Sequence, residues 1–301
     1  MKKAFTMLEL VMVMVVLGIV ASIGADIIAS MYTNYLRSRT IDALENKTEI
    51  VLEQIAKRLQ YRIKDSIIAR KAGSITALSN TDETYPILEW IGYSNESFLG
   101  IPRPGWSGFI DLDHNDTKRT NGTLKTSESN LTDAAETISA LSYGTVDLNT
   151  SREAALIFKG RSYNPTDFGW GTNTNTDGDA TLKVKIHGTS IDVFEISNDS
   201  YIPPEIYEQY YLAHTAYAIA PTGTTTQNGF TDFNLTLHYN YQPWLSGFYN
   251  THGNSSLLAH HVSLFRFKQD ETILRLKLCL HDNNQTGVGD YIVVCKEKVI
   301  Y

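Results

Sequence analysis

The sequence predicts an α+β protein in which one long N-terminal helix packs on a β-rich globular head. Three observations predict it. Phe5 to Ala25 is almost wholly apolar, the apolar residues from Ile41 onward recur at helical spacing, and beyond Gly73 the pattern shortens to that of strands. The 301 residues are 42% hydrophobic and 20% charged, with 20 Gly and 8 Pro. Those proportions exclude a disordered chain, a collagen-like repeat and a polytopic membrane protein. With 26 basic against 33 acidic side chains, the formal charge is -7. A nucleic-acid partner held by a basic surface is therefore not expected, since phosphate binding needs clustered Lys and Arg.

The apolar run follows a short basic leader, Met1-Lys2-Lys3-Ala4, and Glu9 is its one charged residue. At ~1.5 Å per residue, about 20 helical residues cross the roughly 30 Å hydrocarbon core of a bilayer. Residues 5 to about 28 are long enough to span it. A secretory signal would carry a shorter apolar region and a small-residue cleavage site after it. A plain anchor would not carry Glu9, because an acid in a membrane helix costs roughly 2.5–3.5 kcal/mol on insertion scales. Such a carboxylate calls for a partner.

Lys2-Lys3-Ala4-Phe5-Thr6-Met7-Leu8-Glu9-Leu10 resembles the cleavage and methylation signal of type IV pilins and type II secretion pseudopilins. The resemblance implies that prepilin peptidase removes residues 1–4 by cutting between Ala4, where the family most often has Gly, and Phe5. It implies a methylated Phe5 terminus and a role in assembly for Glu9. The expected partner of Glu9 is the freed amine of Phe5, on the same chain or on a neighbour in a helical stack. Head-to-tail contacts that do not close into a ring generate filaments. The resemblance thus implies a single-pass protein of the bacterial inner membrane, its head in the periplasm or in a filament at the cell surface. Its partners would be other pilins or pseudopilins, the peptidase and an inner-membrane assembly platform.

The helix is expected to continue to residue 72. Ile41, Leu44, Thr48, Val51, Ile55, Leu59 and Ile63 recur every three or four residues, with charged residues between them. No Pro interrupts, and Gly73 after Arg70 and Lys71 reads as a stop. Residues 73–301 then form the head. Its expected strands are Ile87–Tyr93, Phe109–Leu112, Glu153–Phe158, Leu182–Ile186, Asp192–Ile196, Thr215–Ala220, Asp232–Tyr239, His261–Lys268, Thr272–Leu280 and Tyr291–Val299, with a short helix at Leu131–Leu141. A head this large points to a minor pseudopilin or minor pilin, used in few copies, of a secretion, pilus or DNA-uptake machine. The alternative is a filament-tip adhesin or cargo-binding module.

The last two strands flank a loop rich in Asn and Gly and read as a hairpin. Opposed residues then keep a constant index sum, and the register that pairs the only cysteines, Cys279 and Cys295, also sets Lys277 against Glu297 and Leu280 against Val294. A disulfide is expected there, consistent with an exported head. Five of the ten Asn-x-Ser/Thr sites carry an acid two residues earlier: Asn115, Asn130, Asn149, Asn234 and Asn284. They resemble the extended acceptor of bacterial N-glycosylation, although Asx-rich loops produce the same pattern.

No metal and no cofactor is expected. Asp111–Asn115 begins like a calcium loop but has Asp116 and Gly122 where that loop needs Gly and a bidentate Glu. Asn173–Gly178 has the glycine and then Val184 at the twelfth position, leaving calcium open for that loop alone. His252, His260 and His261 lack a helical metal spacing. No G-x-S-x-G, P-loop or HExxH pattern occurs, so enzymatic activity is not expected.

Overall fold

The computed structural model describes residues 6–171, 180–197, 202–227, 230–282 and 291–301, with backbone alone at 227 and 230. Helix α1 runs Met7–Gln60 without a break and is capped by Thr6. Burial on it begins only at Leu44, and the buried positions Leu44, Thr48, Val51, Leu52, Ile55 and Leu59 form the stripe that the spacing predicts. Thr48 fits this apolar stripe because its hydroxyl donates back to the Leu44 carbonyl at 2.6 Å.

The helix ends at Gln60, twelve residues short of the expected end at 72. The last carbonyls are satisfied locally. The Tyr61 N–H bonds to Arg58 and Leu59, and the Arg62 guanidinium donates to the Leu59 carbonyl at 2.7 Å. From Ile63 the backbone bonds to the sheet instead, with its N–H on the Ile91 carbonyl at 2.9 Å. Gly73, at φ +72°, turns the hairpin between β1 (Ile68–Lys71) and β2 (Ser74–Ala77) rather than stopping a helix. The head therefore starts before residue 73. The reason is visible in Ile67 and Ile68, which are adjacent, both buried, and packed in different core clusters. A strand end can place neighbours on opposite faces; a one-sided helix cannot.

The remaining elements are β3 (Ile87–Gly92), a single-turn α2 (Asn95–Phe98), β4 (Thr123–Lys125), α3 (Leu131–Leu141), β5 (Ala154–Phe158), β6 (Leu182–Ile186), β7 (Val193–Ile196), β8 (Tyr210–Ala213), β9 (Thr215–Gln227), β10 (Phe230–Tyr241), β11 (Asn254–Asp270), β12 (Ile273–His281) and β13 (Val293–Ile300). The first sheet has the order β13-β12-β11-β10-β9-β3-β1-β2, and the second β4-β7-β6-β5-β8. All the pairings are antiparallel. Phe109–Leu112, expected as a strand, makes only a one-residue bridge from Phe109 to Gln209. β1, expected as part of the helix, and β2, β4 and β8 were not expected as strands.

The layers follow from strand alternation. Leu88, Trp90, Ile219, Leu235, Leu237 and the even residues of β12 cover α1. Ile87, Ile91, Ala216, Ala218 and Ala220, from the opposite face of the same strands, pack with Ala155, Ile157 and Ala213 of the second sheet. The other face of that sheet (Leu156, Phe158, Leu182, Val184, Phe194, Leu212) is covered by Leu131, Ala134, Ala135 and Ile138 of α3. The order is helix, sheet, sheet, helix.

His214 is the single residue between β8 of one sheet and β9 of the other. It is buried, its Nδ1 lies 2.9 Å from Ser94 Oγ, and its carbonyl accepts from Gln242 Nε2 at 3.1 Å. Burial holds its imidazole down to about 4. In the unfolded chain the ring protonates near 6.5. Its contribution to stability is therefore fully present above pH 6.5 and is lost as pH falls toward 4, by an amount on the order of 3 kcal/mol. Denaturant unfolding at pH 7 and pH 4.5 should show this loss, and His214→Gln should flatten it. A variant with the same acid sensitivity as the native chain would refute the assignment.

Candidate functional site

The most prominent functional surface is the free part of α1. Nothing in it is buried before Leu44, and Met7 to Ile28 presents large apolar side chains on every side. The helix is long and apolar enough to cross a membrane. Its start is fixed by a capping box. The Thr6 N–H and hydroxyl both donate to Glu9 Oε2, at 3.0 and 2.9 Å, while the Glu9 N–H returns a bond to Thr6 Oγ1 at 3.4 Å. Glu9 thus meets hydrogen-bond donors at the helix terminus. Ala4 and Phe5 lie outside the described residues. A Cβ added at Gly18 or Gly24 would meet nothing within 4 Å, so packing among the described residues requires neither glycine.

At its other end α1 is clasped by β13. Lys296 Nζ lies 3.1 Å from Glu49 Oε2, and Lys298 pairs with Glu53 and approaches Glu49 at 3.8 Å. Each partner perturbs the other: Lys298 holds the Glu53 carboxyl below its usual range, and Glu53 lifts the Lys298 ammonium.

Cys279 and Cys295 form a disulfide across β12 and β13. Lys277 stands opposite Glu297, with Nζ 2.9 Å from Oε1, and Leu280 opposite Val294. The register is the one the hairpin reading gives. The bridge lies on the sheet face away from α1, with Cys279 buried and Cys295 exposed.

The five asparagines are not brought together. Asn115 and Asn149 sit on exposed turns, Asn130 is half-buried just before α3, and Asn234 is half-buried within β10, its side chain bonded to His260. Asn284 lies outside the described residues. Several of the preceding acids have local work, Glu128 pairing with Arg103 at 3.5 Å. Asp147 closes an Asx turn by accepting from the Asn149 N–H at 2.9 Å, and Asp232 takes part in a histidine cluster. Asp111 likewise accepts from the Asp113 N–H at 3.2 Å and from Ser127 at 3.3 Å, a polar turn. The second calcium-like loop, 173–178, lies outside the described residues.

Sequence spacing missed one constellation. Asp232 of β10, His261 of β11 and His281 of β12 converge, with Asp232 Oδ2 2.7 Å from His261 Nδ1 and 3.1 Å from His281 Nε2. Asp232 and His281 are buried and His261 is partly exposed. The alignment depends on a bulge in β11: His260 and His261 together face Asn234, and His261 takes φ +55°, a left-handed conformation that side chains other than Gly adopt at a cost. Only the alternation of three paired strands could have signalled it. Burial outweighs the Asp232 carboxylate and holds the His281 imidazole below its ordinary value. His252, by contrast, accepts from the Phe248 N–H at 3.1 Å and caps its own turn.

Compared with protein-family models, curated proteins and solved structures, the chain matches none.

The disulfide closes a separation of 16 residues, for which chain entropy gives a stabilisation of roughly 3 kcal/mol. Replacing both cysteines by Ser should lower the denaturant midpoint accordingly without altering the fold. If both thiols of the native chain alkylate without prior reduction, the bridge does not form in the isolated protein.

Proposed function

We propose that the chain is a membrane-anchored, pilin-like assembly subunit: a minor pseudopilin or minor pilin of a type II secretion, type IV pilus or DNA-uptake machine. The observation that carries this reading is the continuity of α1. Its apolar half covers none of the other described residues, and its amphipathic half runs unbroken into the core of the head. Such a helix can bury the same surface in lipid or among like helices. Transfer from a bilayer into a filament then costs little apolar exposure. The motif Ala4-Phe5 with Glu9 adds the chemistry of processing. Prepilin peptidase removes residues 1–4, Phe5 becomes the methylated terminus, and the head faces the periplasm. Other pilins pack through the helix, and an inner-membrane platform assembles them. The second sheet and α3 enlarge the head beyond what dense stacking along a shaft accommodates, which favours a place at a tip or in initiation.

In this reading Glu9 serves as the counter-charge. It already gathers two donors from Thr6, and a free amine on Phe5 would bring a cation to the same end of the helix. Charge-assisted bonds of this kind strengthen as water is excluded.

Two experiments test the proposal. Mass spectrometry of protein from host membranes should find an N-terminus at methyl-Phe5; a terminus at Met1, or a cut after Ala21 or Ala25, refutes the family. Glu9→Val should remain in the membrane fraction, because the change removes a charge from an apolar helix. It should be lost from sheared or cross-linked filaments, because the Phe5 amine is left without its carboxylate. Normal incorporation of that variant removes the role given to Glu9.

A further inference from the structure

The Asp232–His261–His281 cluster is independent of the membrane helix and of the processing motif. We propose that it binds one divalent transition-metal ion of the zinc class, clipping β10, β11 and β12 together at the base of the head. One ligand atom from each residue lies within 4.8 Å of the others. In a tetrahedral zinc site, bonds of ~2.0–2.1 Å place neighbouring ligand atoms roughly 3.3 Å apart. The carboxylate–imidazole separations of 2.7 and 3.1 Å therefore need to open by about 0.6 and 0.2 Å to admit the ion, and the two ring nitrogens, within 4.8 Å of one another, need to settle at the same spacing.

The donor set selects the class. Two imidazole nitrogens and one carboxylate suit zinc and its neighbours, whereas calcium and magnesium take shells made of oxygen. Without an ion, one carboxylate oxygen faces two ring nitrogens and must accept a hydrogen bond from each. With an ion, each nitrogen offers its lone pair, and the carboxylate contributes a bond and a balancing charge. The bulge that holds His261 at φ +55° is what turns its Nδ1 toward Asp232.

Access is open. His261 and His281 border a groove whose other wall is α1, with Thr40, Ala43, Leu44 and Lys47 facing it. Water from that groove can complete the coordination shell. An ion bound here holds only the folded arrangement, because the three ligands come from different strands, and so it raises stability by mass action.

The test uses the full chain in detergent micelles, carrying no histidine tag, stripped with EDTA and titrated with zinc against a chromophoric chelator. One ion per chain should bind and raise the unfolding temperature. His261→Asn keeps a side chain that can bond Asp232 at the Nδ1 position, and His281→Gln does the same at Nε2; both should fold, as circular dichroism will report. Each should weaken zinc binding by about 100-fold or more and abolish the thermal shift. His187→Asn, at a solvent-exposed pair with Glu195, should change neither. No binding by the native chain at micromolar zinc overturns the proposal. So does binding by the folded His261→Asn and His281→Gln variants that is as tight as native, and calcium that displaces zinc refutes the metal class. None of these outcomes bears on the N-terminus of the mature protein, so the two proposals fail separately.

Discussion

The apolar stripe of α1 from Leu44 to Leu59 is the constraint from which the head is built. A helix with one buried face needs a surface broad enough to cover the roughly four turns that it spans. Here that surface is an antiparallel sheet whose inward positions are large: Leu88, Trp90, Phe265, Leu276 and Leu278. Covering the helix leaves the reverse of the sheet apolar in its turn. Along β9 that reverse is lined by Ala216, Ala218 and Ala220, small residues that let a second sheet pack against it. The second sheet then has its own outer face to cover, and α3 does so. Each layer exists because the previous one exposes a face. The sequence of layers ends at α3, whose outward side carries Thr132, Asp133 and Glu136, and at the apolar half of α1, which no other described residue covers. Under the proposed function, lipid or neighbouring helices complete that last layer.

What could be read beforehand was local. Leu131–Leu141 appears with the predicted bounds because its apolar residues recur at helical spacing within eleven residues. The cysteine register followed from a hairpin, in which one turn fixes every opposed pair. The end of α1 was misread because Ile63 continues the three- and four-residue spacing of the stripe, although its N–H already belongs to the sheet. Periodicity cannot report a hydrogen bond to a strand that comes later in the chain. Arg70 misled in the same way. Near a presumed helix end it reads as a dipole-matching cation, yet it pairs with Glu89, a buried carboxylate that also accepts from the Tyr241 hydroxyl at 3.2 Å. The division into two sheets was not legible either, since buried strands such as β3 and β5 carry apolar residues on both faces and name no partner. The histidine cluster needed two strand pairings and a bulge, none of which the spacing of His260, His261 and His281 encodes.

Apolar burial holds α1 on the sheet but does not choose its register, because a stripe of Leu, Val and Ile offers nearly the same contacts after sliding by one turn, about 5.4 Å. Charges restrict it. β13 is an edge strand, and its face toward α1 carries Lys296 and Lys298 among the apolar residues. Inward-pointing lysines on an edge strand deter pairing with another chain. They are tolerable only where carboxylates meet them, and α1 supplies two, Glu49 and Glu53, spaced one turn apart on the helix. A slide by one turn that moves Glu53 to the place of Glu49 would bring Lys57 against Lys298, whereas the opposite slide would bring Glu45 up behind Glu49. The charges therefore exclude one direction of slippage. Exposed ion pairs add little to stability, so their weight here lies in excluding alternatives rather than in strengthening the native contact. The disulfide acts on the same strand from the opposite face, since Cys279 and Cys295 fix β13 to β12 away from the helix. Together the covalent bond sets where β13 lies in the sheet, and the two lysines limit where α1 lies on β13. How far the free half of the helix projects from the head therefore depends in part on residues near the opposite end of the chain.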